Sequence, residues 1–89
     1  MADRYDVIAT VKSVKGECAL EHHVGQQFRL GDKTPAGICQ SAYQAMFPSV
    51  RVLQFGGTFP WASDPDCAEV ACPDAANPVV FELRRVRAE

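Results

Sequence analysis

Cysteines and histidines are the side chains of this sequence best suited to chemistry, and their spacing indicates what kind. Cys18 and His22 are four positions apart, so one turn of helix would place a thiolate and an imidazole on the same face. Both groups are ligands that zinc prefers, although no Cys-x-x-Cys pair strengthens the pattern. The alternative for His22 is a histidine exposed in a loop, and we expect its neighbour His23 to face solvent.

Two further cysteines occupy positions that favour function. Cys39 falls in the first turns of a predicted helix, where free N–H groups and the helix dipole favour a thiolate, but it also fits that helix's apolar face. Cys72 ends a predicted strand, so its side chain can project into a cleft. Asp74 is a candidate to orient a histidine or bind a metal, with capping of its own turn as the alternative. Cys67 has an acidic neighbour that disfavours a thiolate, and we interpret it as incidental.

The stretch Phe55-Gly56-Gly57-Thr58-Phe59-Pro60-Trp61 is predicted to form a rigid aromatic turn. Adjacent glycines tolerate positive φ, and Pro60 fixes one dihedral while pushing Phe59 toward an extended conformation. Such a turn can anchor itself in the core or wall a ligand pocket. We expect Phe59 and Trp61 to be packed and to seal the site.

Four segments have the apolar alternation or the β-branched composition of strands. They are residues 5–14, 26–30, 67–72 and 79–86. Residues 50–55 also favour a strand, with a short helix capped by Ser49 as the alternative.

One main helix is predicted between Thr34-Pro35, a start signal, and Phe47, because Pro48 disfavours continuation. Its apolar positions fall on one face: Cys39, Ala42, Tyr43 and Met46. The elements together predict an α+β fold, with a small, mostly antiparallel sheet or partly open barrel and one main helix.

Length and composition predict one small globular domain, residues 1–89, of which 47% are hydrophobic and 22% charged. A net charge of −2 gives no electrostatic reason to expect nucleic acid. No apolar run is long enough for a membrane span, and the first residues lack the apolar centre of a signal peptide. We therefore expect a cytoplasmic protein with reduced thiols, whereas an exported chain would pair its four cysteines as disulfides.

Several motifs resemble, in order, those of a family of small, uncharacterised microbial proteins. They are Lys15-Gly16-Glu17-Cys18, His22-x-Val24-Gly25-x-x-Phe28, Gly37-Ile38-Cys39, Pro48, Phe55-Gly56-Gly57-x-Phe59-Pro60-Trp61, Cys72-Pro73-Asp74 and Pro78-Val79-Val80-Phe81. The resemblance covers nearly the whole chain and implies that Cys18, Cys39 and Cys72 belong to the family's pattern. Cys67 is then an addition. Many members have an acidic residue after the Val-Gly pair, where this chain has Gln26.

The first functional hypothesis is a metal site, with zinc as the expected ion. Its ligands would be Cys18, His22, Cys39 and Cys72. Three thiolates and an imidazole make a closed tetrahedral set typical of structural zinc, and replacing one of them by water would open a catalytic position. A bound metal would also add folding free energy to a small core.

Two alternatives remain open. A thiolate enzyme would use Cys39 as nucleophile and His22 as base, and would cover a small-molecule substrate with the aromatic turn. A non-catalytic binding module would bury its cysteines and pair an exposed edge strand with a second copy, giving a homo-oligomer. The predicted pocket is lined by Phe55, Phe59, Trp61 and Asp74.

Overall fold

The computed structural model describes residues 5–17 and 21–88. Within these ranges the elements are β1 Tyr5–Val14, β2 Gln27–Leu30, α1 Gln40–Gln54, β3 Cys67–Ala71 and β4 Val79–Arg87. The strands form one antiparallel sheet in the order β2-β1-β4-β3, with β2 and β3 as its open edges. The predicted α+β fold is confirmed, and the four observed strands lie at four of the five predicted positions.

The core lies between α1 and one face of the sheet. Alternate residues of the central strands point into it, which produces their period of two in burial. The register pairs Ala9 with Leu83 and Val11 with Phe81, and all four side chains are buried. Met46 of α1 is fully buried against them. Removing this apolar surface from water contributes about 25 cal/mol per Å² to folding.

The helix continues through Pro48, so both the predicted end near Phe47 and the predicted strand at residues 50–55 are wrong. A proline inside a helix costs about 3 kcal/mol. Beyond it, however, Val50 and Leu53 are buried on the same face of α1 as Met46. Burial of two such side chains contributes about 1.5–3 kcal/mol each, which outweighs the proline.

The beginning of α1 also differs from the prediction. Thr34-Pro35 does not start the helix, which begins at Gln40 with Cys39 as its N-cap residue. Gly37 between them has a φ of +87°, a left-handed conformation that a right-handed helix cannot include. The capping signal is therefore overridden by a glycine turn.

Pro48→Ala is expected to raise the free energy of unfolding by about 1–3 kcal/mol. Alanine restores an N–H that can bond to the carbonyl one turn earlier, and it removes the steric conflict of the ring with that carbonyl. Denaturant unfolding followed by far-ultraviolet circular dichroism measures the change. Pro73→Ala, at an exposed loop position, is the control and should lower stability by less than about 1 kcal/mol. A loss of helical signal in Pro48→Ala would contradict a continuous helix.

Candidate functional site

His22 is part of the core beside the N-terminal end of α1. Only 5% of its surface is exposed, and its ring packs edge-on against the rings of Phe28 and Phe81, at centroid distances of 5.5 and 5.8 Å. The hypothesis of an exposed loop histidine is therefore wrong, because two aromatic rings from the sheet accommodate the imidazole in the apolar layer. The predicted exposure of His23 is confirmed.

Both ring nitrogens of His22 have hydrogen-bond partners. Nε2 accepts the backbone N–H of Cys39 at 3.1 Å, and Nδ1 lies 2.9 Å from Oε1 of Gln26. Because Nε2 needs its lone pair to accept from an amide, the neutral ring carries its proton on Nδ1 and donates it to Gln26. The imidazole thereby ties the loop before β2 to the residue that precedes α1.

Cys39 is the N-cap residue of α1, whereas the sequence predicted it within the first turns. Its carbonyl accepts the N–H of Tyr43 at 2.9 Å, and its half-buried side chain packs on the core. His22 bonds the amide of Cys39 and not its thiol. The pairing of a Cys39 thiolate with a His22 base stays a prediction.

Cys72 lies directly after β3, beside the beginning of β4. Its N–H donates to the carbonyl of Val79 at 2.9 Å, and its Sγ accepts the N–H of the same residue at 3.2 Å. Phe81, further along β4, contacts the ring of His22. His22 thus contacts the amide of Cys39 and the ring of Phe81, whereas Cys72 is bonded to Val79 at the beginning of β4.

This arrangement does not by itself form a metal site. Among residues 5–17 and 21–88, no three His, Cys, Asp or Glu side chains are placed to hold a metal ion together. Cys18, the fourth predicted ligand, lies outside the described residues. His22 would have to release the amide of Cys39 before Nε2 could bind a metal, because its lone pair is engaged. The zinc site stays a prediction.

The aromatic turn places its tryptophan on the surface. Trp61 is 78% exposed, whereas Phe59 packs against the core with its ring 5.2 Å from that of Trp61. Phe59 takes the inward position, and a turn closed by the N–H of Ala62 on the carbonyl of Phe59 directs Trp61 outward. The prediction that Trp61 is packed and seals the site is wrong for this reason, while Phe59 is packed as expected.

Phe55 and Asp74, the other predicted pocket residues, have local roles. Phe55 is 63% exposed at the end of α1, with the guanidinium of Arg51 5.3 Å from its ring centroid. Oδ1 of Asp74 accepts the N–H groups of Ala76 and Asn77, both at 3.1 Å. Asp74 thus caps its own turn, the alternative left open by the sequence.

A groove of about 370 Å³ opens on the face of the sheet opposite α1, between β3, β4 and the loop 61–64. Side chains of β4 reach it because Glu82 and Arg84 alternate with Phe81 and Leu83, which point to the core. We call it the tryptophan groove. Its functional groups are Trp61, Asp64, Cys67, Glu69, Glu82 and Arg84.

Carboxylates outnumber basic groups in the tryptophan groove. Glu69 and Glu82 are directly opposite each other in the register of β3 and β4, where like charges repel. Lys12 forms an ion pair with Glu69, and Arg84 lies 3.3 Å from Asp64 and 3.7 Å from Glu82. Even with both basic residues counted, the groove carries an excess of negative charge.

Asp64 has a lowered pKa and is hydrogen-bonded to the thiol of Cys67. Its Oδ1 accepts the N–H of Asp66 at 2.9 Å, and this bond, together with the charge of Arg84, holds the pKa of Asp64 below its usual range. The Sγ of Cys67 donates to Oδ2 of Asp64 at 3.6 Å. Burial, aided by the charge of Asp64, raises the pKa of the Cys67 thiol. Cys67 is therefore protonated at neutral pH, and its acidic neighbour in space is Asp64.

Sequence reasoning missed this groove. A period of two along each strand places Cys67 with Glu69, and Glu82 with Arg84, on one face, and that signal was available. The pairing of Glu69 with Glu82 could not be predicted in this way, since strand register depends on the packing of the opposite face of the sheet.

Comparison of the chain with protein families, curated proteins and solved structures found no match. The resemblance to a family of small microbial proteins therefore stays a prediction. Within the described ranges, no helix is long and apolar enough to cross a membrane.

His22→Ala is expected to lower the free energy of unfolding by about 2–4 kcal/mol. It leaves the amide of Cys39 and the side chain of Gln26 without their partner and opens a cavity beside Phe28. His23→Ala, which changes the exposed neighbour, is the control and should stay within about 0.5 kcal/mol. Denaturant titration measures both variants, and equal effects would contradict the structural role of His22.

Proposed function

We propose that this domain is a non-catalytic binding module whose tryptophan groove takes a small organic cation, an ammonium or guanidinium group on an apolar chain. The observation that carries the proposal is an exposed tryptophan ring beside three carboxylates in one concave surface. The groove volume of about 370 Å³ falls within the ~300–1,000 Å³ typical of small-molecule sites.

The ring of Trp61 supplies the surface that contacts both the apolar chain and the cationic group of the ligand. Indole is the aromatic side chain that attracts cations most strongly, contributing about 0.5–2 kcal/mol when the cation lies over the ring. Phe59 is anchored in the core and contacts the Trp61 ring, which limits the movement of that ring. Binding of a ligand then costs less conformational entropy than it would for a tryptophan without this contact.

The carboxylates favour a positive ligand over a negative one. Arg84 is held between Asp64 and Glu82, so an anionic ligand would meet a guanidinium that is already neutralised. Because these side chains are partly solvated, their charge adds selectivity more than affinity. We expect dissociation constants on the order of 0.1–1 mM for small cations.

Trp61 is the only tryptophan of the chain, so its fluorescence reports on the groove directly. Titration with butylammonium or agmatine should change its emission with saturation, whereas butyrate and butanol at equal ionic strength should not. Because the pKa of Asp64 is depressed, the charge of Asp64 and its part of the binding should persist until the pH falls below the ordinary aspartate range of about 4.

Glu82→Gln is expected to weaken butylammonium binding about three- to tenfold, because it removes one carboxylate from the groove. Glu17→Gln removes an exposed carboxylate outside the groove and is the matched control, with no expected change. The proposal fails if neither butylammonium nor agmatine alters the fluorescence at a concentration about 100 times the expected dissociation constant. It also fails if butyrate binds as tightly as the cations.

A zinc site is the second candidate function, and its support is the four-residue spacing of Cys18 and His22, since no three described candidate ligands are placed to hold a metal together. The site would combine His22, Cys39 and Cys72 with Cys18, which lies one helical turn before His22 in sequence. This proposal includes the cytoplasmic location expected from the sequence, since thiolate ligands require reduced cysteines. Elemental analysis of protein purified without added metal or chelator tests it first.

Alkylation of the native protein by iodoacetamide, followed cysteine by cysteine, separates the thiol hypotheses. A shared zinc should protect Cys18, Cys39 and Cys72 together, and a chelator should abolish that protection. One fast cysteine indifferent to chelator would support a thiolate enzyme using Cys39. Cys67 is the internal reference: its raised pKa means that it should react slowly at neutral pH and reach its full rate only above the range of an ordinary thiol.

A further inference from the structure

We infer that the cation bound in the tryptophan groove is delivered as a lysine or arginine side chain of an extended peptide that pairs with the free edge of β3. This inference rests on the proposed function and adds the partner. Within the described ranges, no strand lies on the outer side of β3. Adding a strand to such an edge is a common mode of peptide recognition.

The backbone of β3 presents hydrogen-bonding groups to an incoming strand. The N–H of Arg85 donates to the carbonyl of Asp66, and the N–H of Cys72 donates to that of Val79, so these residues of the two strands face each other. Antiparallel pairs alternate between bonded and non-bonded, and Glu69 and Ala71 therefore direct their N–H and C=O groups away from β4.

The same alternation connects the free edge to the groove. Glu69 carries both outward backbone groups and a side chain that lines the tryptophan groove. A peptide residue bonded to the backbone of Glu69 would lie about 5.5 Å away, with its side chain on the same face. That side chain meets the carboxylate of Glu69 and the exposed ring of Trp61.

Charge complementarity selects a basic residue at this position. The groove keeps an excess of negative charge after Lys12 and Arg84 are counted, and the side chain of Glu69 is half exposed beside its partner Lys12. A lysine or arginine opposite Glu69 would therefore meet net negative charge. A second copy of this chain fits less well. The antiparallel register that pairs most residues of two β3 strands sets Glu69 against its own copy and joins two grooves of the same charge.

The test uses the peptide acetyl-Thr-Val-Lys-Val-Thr-amide, the same peptide with Glu in place of Lys, and butylammonium. Trp61 fluorescence measures affinity, and amide hydrogen exchange of Glu69 and Ala71 measures edge pairing. We expect the Lys peptide to bind at least tenfold more tightly than butylammonium and to protect both amides, and the Glu peptide to bind at least tenfold more weakly than the Lys peptide.

Two changes isolate the backbone contribution. Methylation of the Lys backbone nitrogen should weaken binding at least tenfold, whereas methylation of the following Val nitrogen, which points to solvent, should have a much smaller effect. Ala71→Pro removes an outward N–H without altering a bond to β4. It should therefore weaken the binding of the Lys peptide and leave the binding of butylammonium unchanged. Circular dichroism confirms that this variant is folded.

The outcomes distinguish the inference from the proposed function. If butylammonium binds and the Lys peptide binds no more tightly, or if both methylated peptides behave alike, the peptide inference is overturned and the proposed function stands. If neither ligand binds, both fall. If the free protein sediments as a dimer with Glu69 and Ala71 already protected, the edge belongs to a second copy and the inference is overturned.

Discussion

Burial of one face of the sheet beneath a single helix governs the arrangement of the other parts of this protein. The apolar residues of β1 and β4 leave water only where α1 covers them, and α1 must therefore continue past Pro48 to bring Leu53 onto the core. The two ends of α1 then determine the positions of the candidate functional residues. The beginning of α1 sets Cys39 against His22, and its end determines where the aromatic turn emerges.

His22 connects this helix to the sheet by a bond that also restricts its own chemistry. An imidazole that accepts from the amide of Cys39 and donates to Gln26 is neutral, oriented and fully satisfied. The same bonds oppose its use as a base or ligand, since the lone pair of Nε2 and the proton of Nδ1 are both engaged. Binding of a metal by Nε2 would require His22 to release the amide of Cys39.

The face of the sheet opposite α1 does not need to be apolar, because the apolar residues are buried on the side of α1. Glu82 and Arg84 are free to form a polar surface, and the turn that anchors Phe59 in the core places Trp61 over it. Two like charges across β3 and β4 are tolerated because Lys12 and Arg84 offset them. The charged residues that line the tryptophan groove can accordingly be substituted without disturbing the packing of the core.

The strands of this protein could be predicted because their signal is local. Alternation of apolar and polar residues is a property of each segment alone, and the observed β1 and β4 follow it closely. The α+β class follows from those strands and one amphipathic helix. The self-capped turn of Asp74 was likewise accessible from residue types and their neighbours. The raised pKa of the Cys67 thiol comes first from burial, which its sequence neighbours do not indicate.

Spacing within short segments was thus enough to predict the four observed strands, the presence of one helix and the inward face of each. The passage of the helix through Pro48, the burial of His22 and the exposure of Trp61 follow from three-dimensional packing alone. Each of these depends on burial or bonding between distant segments, as in the bond between His22 and Cys39, 17 positions apart. The free energy of such contacts exceeds a local propensity of a few kcal/mol, and no local pattern records them.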